Sequence, residues 1–156
     1  MLRSALAAVA LALSLTACSE SEGTVAPDAA AAPAGVAEAV AAEVHEALGV
    51  SDDIEVDDPI VEPCYDSTGR DTGEVSARVH SRAEPGVVTQ ERFEGLGERL
   101  GAEDVRRNDL RDPLDETQVI GQAQQLFADR DGRAVFVSMQ LTDEDGFSAS
   151  IRAECP

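Results

Sequence analysis

Three kinds of side chain in this 156-residue sequence are equipped to do chemistry: cysteine at 18, 64 and 155, histidine at 45 and 80, and arginine clustered at 106, 107 and 111. Hydrolytic use of these groups finds no support. There is no Gly-x-Ser-x-Gly elbow, and neither histidine has a His or Cys at metal-ligand spacing. His80 falls on the polar face of an alternating segment and His45 off the apolar stripe of a helical one, so both read as solvated. The acidic turns 129–132 and 143–146 invite comparison with calcium loops, which need acids at positions 1, 3 and 5, Gly at 6 and Glu at 12. With Gly146 at position 6, Leu141 falls at 1 and Arg152 at 12; with Gly132 there, Phe127 and Ser138 occupy those places. Both fail and read as hairpin turns. The glycines at 95, 97 and 101 have the wrong spacing for a phosphate loop and sit inside a helical pattern. The acidic run 52–58 reads as a solvated linker. No catalytic residue, metal set or cofactor is expected, and the chain is read as a non-enzyme.

Arg106, Arg107 and Arg111 make a local charge reversal in a chain of 31 acidic and 12 basic residues, all of them Arg, with net charge −19. They are the candidate patch for an anionic ligand or an acidic partner surface; pairing with neighbouring acids inside the chain is the simpler alternative. A chain this acidic is repelled by phosphate backbones, which are bound by Lys and Arg that displace counterions, so nucleic acid is excluded as a partner. Anionic lipid headgroups repel it as well.

The amino terminus explains Cys18. One basic residue, Arg3, precedes an apolar run from Ala5 to Leu13. That run is too short to cross a hydrocarbon core of about 30 Å. A basic start, a short apolar middle and small residues before the break form a secretory signal. Leu15-Thr16-Ala17-Cys18 resembles the bacterial lipobox: an aliphatic residue, two small residues and a Cys. The resemblance implies cleavage after Ala17, a diacylglyceryl group on the Cys18 sulfur and acylation of the new amino terminus. It places the chain on the extracytoplasmic face of the cell membrane, held by lipid. Two or three acyl chains at about 0.8 kcal/mol per buried CH₂ anchor stably.

With Cys18 set aside, Cys64 and Cys155 remain, and an even pair in an oxidising compartment reads as one disulfide. The chain-entropy model assigns about 4–5 kcal/mol to so long a loop.

The elements that must position these residues divide the chain into a signal peptide (1–17), the lipidated Cys and a disordered tether (18–34), a helix with an acidic linker (35–62) and a small domain (63–156). Val36, Val40, Val44 and Leu48 recur every four residues and predict a helix stopped by Gly49. Val75, Ala77 and Val79 alternate with polar residues and predict a strand. Thr89 caps a helix with Phe93, Leu96 and Leu100 on its apolar face. Leu126 and Ala128, then Val135 to Leu141, then Phe147 to Ala153 predict a meander turning at two Asp-Gly sites. Every Phe is expected in the core. The expected fold is α+β: a four-stranded antiparallel sheet with one helix packed on one face, the other face solvated, preceded by a helical or disordered tether.

Taken whole, the chain is similar to the small, single-disulfide lipoproteins of actinobacterial envelopes, the mycobacterial LppA-like group among them. It shares Leu15 to Cys18, the Pro63-Cys64 opening, a short body and a closing Cys155. The likeness brings no functional residues. The expected role is a non-catalytic accessory module that binds another envelope protein. The alternative is a module for a small ligand, either an anion at the Arg cluster or a lipid between helix and sheet.

Overall fold

A computed structural model of the chain describes residues 27–102 and 104–156. The expected signal peptide, Cys18 and the expected tether up to residue 26 lie outside the described residues. The molecule is predominantly β. Seven strands form one antiparallel sheet: β1 (Glu55–Val56), β2 (Ile60–Tyr65), β3 (Asp71–Ala83), β4 (Val105–Arg111), β5 (Val119–Arg130), β6 (Arg133–Thr142) and β7 (Gly146–Ala153). They are accompanied by α1 (Pro27–Leu48), α2 (Gln90–Glu94) and α3 (Leu96–Arg99). The expected four-stranded sheet with a single helix is therefore overturned. β3, β5, β6 and β7 are the four anticipated strands; β1, β2 and β4 are additional. The helix expected across 89–100 is broken at Gly95, where the chain passes from α2 to α3.

The strand order is β1-β3-β7-β6-β5-β4, with β2 sharing the outer edge of β3 beside β1. After β3 the chain crosses to the far edge through α2 and α3, then returns as the meander β4 to β7. Both expected hairpins form, and their turn chemistry explains them. Asp131 (φ 55°) and Gly132 (φ 74°) make a two-residue turn closing the pair Arg130–Arg133. Positive φ at both centres is what a hairpin turn matched to strand twist requires. Gly146 (φ 76°) opens β7, and a Cβ there would stand 2.3 Å from the Ala83 carbonyl oxygen, so no other residue fits.

Alternation along the strands gives the sheet two faces. One carries Val79, Leu126, Val135, Val137, Met139, Phe147, Ala149, Ile151 and Ala153 into a single core with α1, α2 and α3. Phe93 and Phe147 meet edge to face there at 6.3 Å. α1 docks on this face through Ala37, Val40, Ala41, Val44, His45 and Leu48. A four-residue repeat drifts by about 40° per step in a helix of 3.6 residues per turn. The buried stripe therefore mixes steps of three and four and takes in Ala37, Ala41 and His45, while Val36 is left half-buried. His45 is a core residue and not a solvated one. α1 also begins at Pro27, so it includes 27–34, the stretch expected to be tether.

The sulfurs of Cys64 and Cys155 form a disulfide, with Cα atoms 5.9 Å apart and a sequence separation of 91. It ties the edge strand β2 to the residues just beyond β7.

Candidate functional site

The three arginines of the sequence patch all lie on β4 or at its end. Arg106 and Arg107 are consecutive in a strand and so project to opposite faces of the sheet. Arg106 lies on the open face, its guanidinium 5.8 Å from the ring centroid of Phe127. Arg107 lies on the helix side, where Nη2 donates to the Glu94 carbonyl oxygen at 3.1 Å. Arg111, beyond a register irregularity after Leu110, donates from Nη1 to the Glu116 carbonyl oxygen at 2.8 Å. The three do not converge on one point, so they cannot together grip a small anion.

Their partners are as informative as their directions. Arg78, Arg82, Arg130 and Arg152 each form an ion pair with a carboxylate. Among the described residues, Arg106, Arg107 and Arg111 form none. They rest on backbone carbonyls or an aromatic ring, and like Arg70, Arg92, Arg99 and Arg133 they have no carboxylate partner among the described residues. The Glu94 carboxylate nearby is occupied by amides: Gln90 Nε2 donates at 2.8 Å and Gln122 Nε2 at 3.1 Å. Those two bonds, with a smaller attraction from Arg107, hold the Glu94 carboxyl below the usual range.

β4 is also an edge of the sheet, the opposite edge being shared by β1 and β2. Arg106, Arg107, Asn108 and Asp109 are exposed in succession, where a covered strand would show alternation. The strand leads into a tight loop, 112–118. The Asp112 backbone N–H donates to the Gln118 carbonyl, and Asp115 and Gln118 donate to the carbonyls of Asp112 and Asp115. Asp112 Oδ1 accepts from the Leu114 amide, and Asp115 Oδ1 accepts from both the amide and the hydroxyl of Thr117. Those two bonds hold the Asp115 carboxyl below its ordinary value. Held up by this network, Leu114 is 96% exposed. Because the loop is already ordered, burying Leu114 against another surface would cost little further ordering.

The open face of the sheet adjoins this edge. Cross-strand register aligns His80, Ser150, Ser138, Gln125 and Arg106 in one row across five strands. From the Ser148, Ser150 and Arg152 positions of β7 to Arg106, Asn108 and Leu110 of β4, no open-face side chain is acidic until Asp129 near its hairpin. For a chain with 31 acids this is an unusual field. Phe127 and Phe136 stack in it at 4.9 Å, and Phe127 is 51% exposed. The expectation that every Phe is buried in the core is thus corrected. Leu126 and Val137 point inward, and their neighbours 127 and 136 must point out.

A depression of about 340 Å³ on this face is lined by Asp57, His80, Arg82 and several serines. His80 makes no side-chain hydrogen bond to a hydroxyl or a carboxylate among the described residues, so no base–nucleophile pair is assembled. No group of three metal-ligating side chains occurs among the described residues, and no described helix is long and apolar enough to cross a membrane. Between α1 and β5, a second depression of about 390 Å³ is lined by Val40, Leu100, Leu126 and Ala128, with the Glu43–Arg130 ion pair (2.8 Å) at its rim. It is the place a lipid between helix and sheet would occupy.

Leu114 and the Phe127–Phe136 pair escape a sequence reading. The available signals are an isolated Leu between turn residues, and the parity of 127 and 136 against their inward neighbours. No family model, curated protein or solved structure matches the chain.

Proposed function

We propose that the chain is a cell-envelope lipoprotein, anchored through lipid on Cys18 at the outer face of the membrane, whose folded body is a non-catalytic module for binding another envelope protein. The observation that carries the binding role is the combination at one edge of the sheet: an uncovered strand, arginines without carboxylate partners among the described residues, and Leu114 raised beside them. Supporting the address are the Leu15-Thr16-Ala17-Cys18 sequence and a disulfide between the two other cysteines, a bond that persists in oxidising compartments. The divergent directions of Arg106, Arg107 and Arg111 weigh against the small-anion alternative and in favour of a surface that is itself extended.

A photo-crosslinking residue at position 114 in intact cells tests this, with the same residue at position 65 on the opposite edge as a control. Tyr65 is 62% exposed, so both positions are open to solvent encounters. The expected result is a recurrent polypeptide adduct from 114, absent from 65, and lost when Cys18→Ser removes the anchor. Equal adduct patterns from the two positions would sink the protein-binding role. An adduct from 114 that survives Cys18→Ser, with the chain still in the membrane fraction, would sink the anchor.

A further inference from the structure

A sheet edge presents a row of backbone N–H and C=O groups without strand partners. In this molecule the two edges are treated differently. One edge is formed by β1 and β2, which lie end to end along β3, and it is interrupted by the break between them and by Pro63, which has no backbone N–H to offer. β4 pairs with β5 on one side, and among the described residues no strand pairs with the other. Four successive exposed residues, 106–109, leave both faces of β4 clear of packed side chains that would obstruct an incoming chain.

Charge decides which chain fits. The strand itself, Val105–Arg111, carries three Arg and one Asp, a local excess of two positive charges on a molecule of net −19. A second copy offering its own β4 would double that excess. Only registers centred on Asn108 or Leu110, which set Asp109 against Arg107 or Arg111, would relieve it. A strand bearing carboxylates relieves it in many registers, since opposite charges across a strand pair stabilise and like charges do not. The repulsion from the rest of the acidic surface is screened beyond about 8 Å at physiological ionic strength, so contact pairs at the rail dominate.

We infer that β4 is a docking rail for an extended, acidic segment of the partner polypeptide, which joins the sheet there as a further strand. This rests on the binding role proposed above and adds the chemistry of the partner. Backbone ladder bonds supply affinity, and Arg106 on one face and Arg107 on the other select Glu or Asp at neighbouring positions. Leu114, just past the strand end, takes an apolar contact beyond the acidic stretch.

The probe is a ten-residue peptide in which Glu-Glu pairs alternate with single Val residues, so that acids reach both faces of the strand. It is added to the full protein purified from its own cells, with hydrogen exchange of the β4 amides as readout. The peptide should slow exchange across 106–111 saturably and leave β1 and β2 unchanged. A Lys-for-Glu version and a version N-methylated at alternate backbone nitrogens should both fail to do so. Arg106→Ser with Arg107→Ser should weaken binding about tenfold, as two partly screened ion pairs would, and the paired Arg→Lys changes should restore most of it. Equal protection by the Lys peptide overturns the acidic selection. Equal binding by the N-methylated peptide means a charge patch and overturns strand addition. Protection of β4 that rises with protein concentration and needs no peptide makes a second copy the occupant. If adducts form at position 114 yet β4 stays unprotected, the rail fails alone; if neither appears, the binding role fails with it.

Discussion

Ser81 faces α1 from β3, and its hydroxyl lies 3.0 Å from His45 Nε2 in a buried hydrogen bond. Burial disfavours the charged imidazolium, so the His45 pKa is lowered from its ordinary value. A base whose pKa is depressed in the folded state takes up its proton more readily when unfolded. The stability tied to it is then complete above the unfolded pKa of about 6.5 and is lost as pH falls below it. The shifted carboxyls Glu55, Asp66, Glu94 and Asp115 are all lowered as well, and their losses begin further down, in the carboxylate range. Between pH 7 and about 5.5, the urea midpoint should therefore drop, and His45→Gln should flatten that slope. An unchanged slope in the variant would show that His45 is not the titrating group. This residue also shows where local pattern misleads. Its neighbours fix it on the buried stripe, but only the position of β3 reveals the hydroxyl that makes burial tolerable.

At the scale of elements, legibility follows exposure. β6 and β7 are half-buried, so apolar and polar side chains alternate in them and the Asp-Gly turns mark their ends. β4 reads Val-Arg-Arg-Asn-Asp-Leu-Arg because an edge strand without cover has little to bury, and a period-two signal cannot arise. β2 contains Pro63, which removes a ladder donor and is tolerated on an edge but argues against a strand in sequence. The candidate arginines were visible by composition; that they split between two faces was not, since that depends on β4 being a strand. The four-residue repeat makes α1 legible as a helix, but a shallow apolar stripe does not say whether the helix docks on the sheet or acts as a spacer. Leu48 decides that point: it is 1% exposed, in the same core cluster as Val79 and Phe147. Leu48→Ala should cost about 2–5 kcal/mol in a denaturant titration, as buried Leu truncations do. Glu46→Ala on the exposed side should stay within about 0.5 kcal/mol. A Leu48→Ala protein as stable as the parent would return α1 to the role of a spacer.

At the scale of the whole molecule, a net charge of −19 acts on folding and on docking with opposite signs. Carboxylates spread over the surface repel one another in the compact state, and salt screens that repulsion. At β4 the relevant contacts are between Arg and the acids of a partner, and salt weakens those. The Debye length shrinks from about 30 Å at 0.01 M to about 8 Å at 0.15 M, so both effects fall in an accessible range. Raising salt across that range should increase the thermal midpoint of the isolated protein while it reduces the yield of adducts from position 114. The disulfide between Cys64 and Cys155 stays closed throughout, so the unfolded chain is equally constrained at each salt concentration and cannot generate the difference. A midpoint and an adduct yield that rise together would mean that apolar contact at Leu114 dominates docking, with Arg106 and Arg107 acting only to keep the edge from pairing with itself. Opposite trends would assign the selectivity of the edge to its arginines.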